Sequence, residues 1–206
     1  MSSLQARIYL ASRSPRRREL LRQIGVPFDL LVFRGGERGA DADVDETPLP
    51  GEEVEHYVER IALVKAEAGW RRLQWRTLPL YPVLSADTTI ALDGEIIGKP
   101  ADAADAAAIL RRLSGRTHRV LTAVAISDGT QTRSRISTSD VRFRALTDLE
   151  IRHYIATGEP MDKAGAYGIQ GRAAIFIEEI RGSYTGIMGL PLFETAQLLD
   201  AFGYPL

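Results

Sequence analysis

Three consecutive arginines, Arg16, Arg17 and Arg18, follow Ser14-Pro15 directly in the stretch ASRSPRRRELL. Ser14 suits a helix N-cap and Pro15 the first helical position. A helix start carries partial positive charge and ordinarily draws acids. Three cations there call for a counter-charge from elsewhere, and free backbone N–H groups beside them would face it too. An anion such as phosphate meets both demands; a solvated basic patch is the alternative. On a helical wheel Arg17 falls on the face of Leu20, Leu21 and Ile24, and Arg16 and Arg18 flank it.

The acidic counterpart is Asp87, which closes the apolar run PVLSA and precedes Thr88. Ligands in α/β proteins gather at strand C-termini. A carboxylate there holds Mg²⁺ or takes a proton from water, or else merely satisfies a turn. Glu46, in an acidic loop, is a second carboxylate or a plain loop charge. Lys65 continues the helical stripe of Val54, Tyr57, Val58 and Ile61. From there a lysine either snorkels to water or points into a cleft.

Other chemistries are absent from the chain. It has 206 residues, no cysteine and three scattered histidines, His56, His118 and His153. Thiol nucleophiles, disulfides and histidine-built triads or metal sites drop out. No GxxxxGK[ST], GxGxxG, HExxH or GxSxG pattern occurs. A net charge of −1 gives no global pull toward nucleic acid or membrane. With no signal-like or membrane-length apolar run, a cytoplasmic soluble protein is the expectation.

These side chains need a scaffold. Strands are expected at residues 7–11, 26–33 and 82–86, and a hairpin at TIALDGEIIG turning on Asp93-Gly94. Further strands are expected at 118–126, 133–144 and 173–180, with 184–189 as another candidate. Helices are expected after Ser14, over residues 53–68, from Asp102 to Leu113, after the capping box Thr147–Glu150, and from Pro191 to Gly203. The long Gly- and acid-rich segment before Glu53 and the stretch DKAGAYGIQG read as irregular. Strands and helices alternate without a simple βαβ period. The fold class expected is α/β with a mixed, twisted sheet flanked by helices.

Taken in order, SRSPRRRELL, DETPLPGE with YVERIALVKA, SADT, GKP, LSGRTHRVLTAVA and DKAGAYGIQG before the terminal GLP resemble the Maf family of nucleoside triphosphate pyrophosphatases. The resemblance covers nearly the whole chain. It implies one domain over residues 1–206, elongated, with two lobes around a central cleft, and commonly a homodimer. It implies hydrolysis between the α- and β-phosphates with a divalent metal, Mg²⁺ or Mn²⁺, in enzymes described as cleansing the nucleotide pool and linked to arrest of cell division. Asp87 matches the catalytic acid, Glu46 and Lys65 the acidic and basic cleft positions, and Lys99 the lysine of the KP motif. Asp87 and Glu46 are the implied metal ligands. Arg16 matches a substrate-contacting arginine, Ser12 lies in the same phosphate loop, and Arg17 joins them as the inward-facing cation. Thr88 and Gln170 match positions tied to base selection, Gln170 through an amide able to pair with the imide edge of uracil or thymine. Arg13 departs from the family, which often has glycine there. The DKAGAYGIQG segment resembles the branch acting on dTTP and UTP. Two readings stand beside it: a pyrophosphatase for 7-methyl-GTP or another modified nucleotide, and a non-catalytic nucleotide-binding regulator. No stable nucleic-acid complex is expected.

Overall fold

A computed structural model describes residues 7–32 and 44–204 of the chain. Its framework is a seven-stranded mixed sheet. The strands are β1 (Ile8–Leu10), β2 (Phe28–Leu30), β3 (Val83–Leu92), β4 (Glu95–Ile97), β5 (Thr117–Ser127), β6 (Thr132–Phe143) and β7 (Ile177–Arg181). The order is β2-β1-β3-β5-β6-β7, with β4 also paired to β3. β2, β1 and β3 run parallel; the other pairings are antiparallel. The helices are α1 (Pro15–Gln23), α2 (Val54–Trp75), α3 (Ala103–Leu113), α4 (Asp148–Ile155), α5 (Tyr184–Met188) and α6 (Leu192–Ala201).

Local chemistry accounts for most of these limits. The side chain of Asp102 accepts the N–H of Asp105 and starts α3, and Thr147 and Glu150 form the reciprocal capping box of α4. Asp93 and Gly94 both take positive φ, 55° and 82°, as a two-residue hairpin turn demands. Three expectations need correction. The helix expected to stop at Ala68 runs on to Trp75. Gly69 sits inside it because a Cβ there would lie 2.6 Å from Val83 Cγ1: the glycine lets helix and strand approach. The strand expected from Ala173 begins at Ile177, after a 3₁₀ turn over Arg172–Phe176. The candidate strand at 184–189 is instead α5, started by Ser183 Oγ accepting the Gly186 N–H and stopped by Gly189 at φ 112°.

Side chains alternate across the central strands. On one face of the sheet Ala91, Leu121, Ala123 and Ala125 pack under α2 with Val58, Ile61 and Ala62. The other face carries two separate apolar clusters. One joins Leu84, Ala86, Val124 and Ile126 to α1 and α6. The second joins Ile90, Leu92 and Val120 to α3 and α4. Between them lies a polar cross-strand pair, Thr88 opposite Thr122.

β1 pairs only with residues 83 and 84 of β3, and β4 with residues 90–92. Residues 85–89 thus have no strand beside them on that edge among the described residues. The sheet has a gap there, with Asp87 at its middle. No helix of the described residues is long and apolar enough to cross a membrane.

Candidate active site

The gap opens into a cleft of about 1030 Å³. That is at the upper end of the range for small-molecule sites, roughly 300–1,000 Å³. Ser12, Arg16, Arg17, Glu46, Lys65, Asp87, Thr88 and Lys99 all line it. Gln170 does not. It is solvent-exposed, while its neighbours Gly168 and Ile169 form part of the wall.

Asp87 is not at a strand end, as the sequence suggested. It lies midway along β3, and it is its neighbour β1 that ends. The consequence resembles the expected one, because a side chain beside a missing strand meets the cleft as one at a terminus does. Alternation sends Asp87 and Thr88 to opposite faces of the sheet. Both border the cleft, because the gap opens past the edge of β3.

On the α2 side, Lys65 Nζ donates to Asp87 Oδ1 at 2.7 Å and reaches Glu46 Oε1 at 2.6 Å. The lysine of the apolar stripe therefore points into the cleft, where its ammonium bridges two carboxylates from distant segments. Ser85, two residues before Asp87 on the same face, holds the helix to the strand through Oγ donating to Ala62 O at 2.6 Å. Glu46 is held from behind. The Tyr57 hydroxyl donates to its backbone carbonyl at 2.9 Å, and Arg60 grips Glu52 through two donors while reaching Thr47 O. Burial, with the nearby charges of Asp87 and Glu46, pushes the Tyr57 hydroxyl up to about 12, so it stays protonated and keeps donating.

On the opposite side, Arg17 turns inward as its azimuth predicts. Its Nε donates to Gly189 O at 2.7 Å and its Nη2 to Thr88 Oγ1 at 3.1 Å. Burial lowers its pKa from the ordinary arginine value, opposed by the charge of Asp87; an arginine remains a cation regardless. Arg16 borders the cleft without an ion-pair partner among the described residues, and Lys99 does likewise on an exposed segment. Arg18 does not reach the cleft. The helix start offers fewer donors than expected. Ser12 Oγ accepts the Ser14 N–H, Ser14 Oγ accepts the Arg17 N–H, and Pro15 has none, so the Arg16 N–H remains.

Three contributors escaped the sequence reading. Lys163 lines the cleft with Nζ donating to Glu159 O and Asp162 Oδ1. Its sole signal was a cation opening the Gly-rich stretch. Tyr57 was legible only as a core stripe residue. Thr122 was a lone hydroxyl in the apolar run HRVLTAVAI. Another wall residue, Tyr167, is pinned by His118 Nε2 at 2.8 Å. Burial pushes that histidine down to about 4, which leaves it neutral and structural.

No cluster of three or more His, Cys, Asp or Glu side chains suited to a metal occurs among the described residues. Asp87 and Glu46 nevertheless form an oxygen-only pair. Among the described residues, Asp87 Oδ2 has only a long 3.4 Å contact from Thr89 Oγ1. Mg²⁺ ordinarily takes one or two carboxylates and fills its shell with substrate phosphates and water. Two carboxylates facing a cleft with Arg16 and Lys99 fit that donor set.

A mixed α/β sheet interrupted beside one acid, with cations around the gap, defines a protein built for a small polyanion. The chain belongs to the Maf family: the model of Maf-like proteins matches residues 7–202. It is 81% identical, over the full length of both chains, to a protein of Aromatoleum aromaticum named dTTP/UTP pyrophosphatase. It is 63% identical to a protein of that name from Dechloromonas aromatica, covering 96% of this chain and 98% of the relative. A third, from Nitrosomonas europaea, is 58% identical over 95% of this chain and 94% of its own.

Proposed function

We propose that this protein hydrolyses dTTP and UTP to the monophosphate and pyrophosphate. The observation that carries the reading is the pairing of Asp87 with Lys65 in a cleft that Arg16, Arg17 and Lys99 also face; the names of the full-length relatives supply the nucleotides.

In this reading the triphosphate lies along the gap beside β3. Arg16 and Lys99 offset its negative charge, which otherwise repels a nucleophile. Asp87 accepts a proton from a water whose oxygen attacks the α-phosphorus. The bond from that phosphorus to the α,β-bridging oxygen breaks, and pyrophosphate leaves. Lys65 holds the Asp87 carboxylate in place and Tyr57 holds the segment of Glu46. Asp87 and Glu46 would hold a divalent cation, Mg²⁺ or Mn²⁺, which would supply further charge neutralisation at the phosphates. Thr88 is the base-selecting residue that faces the cleft, and Gln170 enters the reading only as a family match. The same proposal takes residues 1–206 as one domain, its two lobes being the apolar clusters on either side of Thr88 and Thr122, and expects a cytoplasmic homodimer.

The test is pyrophosphate release from a panel of triphosphates, 7-methyl-GTP included, with Mg²⁺ or Mn²⁺. Turnover of dTTP and UTP ahead of the others is the expected result. A preference for 7-methyl-GTP would move the protein to the other branch, and no release from any nucleotide would leave a binding protein.

A further inference from the structure

Thr122 is fully buried and does not border the cleft. Its Oγ1 lies 2.8 Å from Gly186 O and 3.0 Å from Thr88 Oγ1. A carbonyl cannot donate, so two oxygens 2.8 Å apart require the Thr122 proton between them. The Thr122 hydroxyl has no second proton. The proton in the 3.0 Å contact must then come from Thr88. Thr88 Oγ1 also accepts from Arg17 Nη2 at 3.1 Å, and a guanidinium only donates. The relay Arg17, Thr88, Thr122, Gly186 O therefore runs in one direction. Thr88, on the cleft wall, has spent its proton and keeps one lone pair.

We propose that Thr122 is a positioning residue for substrate choice: by taking the Thr88 proton, it makes Thr88 an acceptor-only group toward the base. Uracil and thymine carry an N–H at ring position 3, a donor to that lone pair. Cytosine carries a bare nitrogen there, and two opposed lone pairs repel. The relay thus selects uracil and thymine over cytosine through a residue that never touches the ligand. A Thr88 free to rotate its proton would serve either base.

This inference rests on the proposed reading of the cleft as a dTTP/UTP site, and the test separates the two. kcat/KM for UTP and CTP is measured on the wild type and on Thr122→Val, Thr122→Ser, Thr88→Val and the double variant Thr122→Val/Thr88→Val. Valine keeps the shape of threonine without its hydroxyl, and Gly186 O retains the Gly189 N–H at 2.9 Å. Thr122→Val is expected to lower the UTP-to-CTP ratio by about tenfold, the scale of one hydrogen bond. Thr122→Ser should restore it. In the Thr88→Val background the Thr122 change should add nothing, because the two act through one hydroxyl. If Thr122→Val does not melt cooperatively, Thr122→Ala is read in the same way. A folded Thr122→Val or Thr122→Ala variant with an unchanged ratio, or a double variant whose effects simply add, would overturn the inference while leaving the UTP assignment intact. A wild type that hydrolyses neither nucleotide overturns the assignment and with it the inference.

Discussion

The proposed chemistry concentrates on Asp87, and its setting decides what a change there does. It is 7% exposed, bonded to Lys65, and bordered on one edge by the cleft. Asp87→Asn keeps size and shape but removes the acceptor for a water proton and half of the negative charge around Lys65. Turnover of dTTP is expected to fall by roughly 10²–10³-fold, as when one electrostatic partner is removed from a preorganised site. The melting temperature should stay within a few degrees of wild type, since Glu46 still pairs with Lys65 at 2.6 Å. Near-normal kcat would sink the role of Asp87. The residues of this site were readable as types: two of the three arginines at a helix start, an acid after an apolar run, a lysine on an apolar stripe. The direction of a hydroxyl, as at Thr88, was not readable, because it depends on an oxygen 98 positions along, that of Gly186.

The elements hold these groups through a few tight joints. One is Gly165, whose N–H donates to Gly98 O at 3.0 Å and ties the Lys163 segment to the one carrying Lys99. Its φ is 68°, and an added Cβ would lie 2.4 Å from Ile90 Cδ1. Gly165→Ala should cost ~1 kcal/mol or more. That lowers the melting temperature by roughly 2–4 °C per kcal/mol for a chain of this size. KM for the triphosphate should rise with it, and an unmoved melting curve would contradict the joint. The capping box of α4 offers a pH test. Glu150 is held down to about 2, from an ordinary 4.5, by the Arg144 guanidinium first and then by the Thr147 N–H and hydroxyl. A depressed folded value means the contribution is present above pH 4.5 and is lost as pH falls toward 2. The melting-temperature gap between wild type and Glu150→Gln should therefore be open near neutrality and narrow on acidification below 4.5. A gap independent of pH would rule this linkage out. That capping box was read directly from sequence, as were Ser14 and Asp102, because a cap is a contact between residues three apart. Helix α5 escaped because its signal, one serine before a glycine-rich stretch, equally fits a turn.

At the scale of the whole molecule, the cleft exists because short β1 and short β4 leave residues 85–89 of β3 uncovered between them. The net charge is −1, so attraction for a polyanion is local to the cleft. Added salt should raise KM with little change in kcat, since nearby charges are screened only in part. Binding should also stabilise the fold that carries both walls. An α,β-imido analogue of dUTP at about 100 times its Kd would contribute ~2.7 kcal/mol, or roughly 5–10 °C in melting temperature. A nucleotide that binds without such a shift would argue against a site shared between the two apolar clusters.

Sequence alone determined the class of the elements and most of their caps and turns, because each of these depends on neighbours a few residues apart. It also suggested an anion for ASRSPRRRELL, through cations where a helix start disfavours them. Tertiary structure decided which arginine faces which partner, that Lys65 joins Asp87 to Glu46, that Gln170 stands outside the cleft wall, and that Asp87 lies in mid-strand beside a gap. Those outcomes depend on where strands stop relative to one another and on oxygen pairs brought together from distant segments, and no local pattern encodes either.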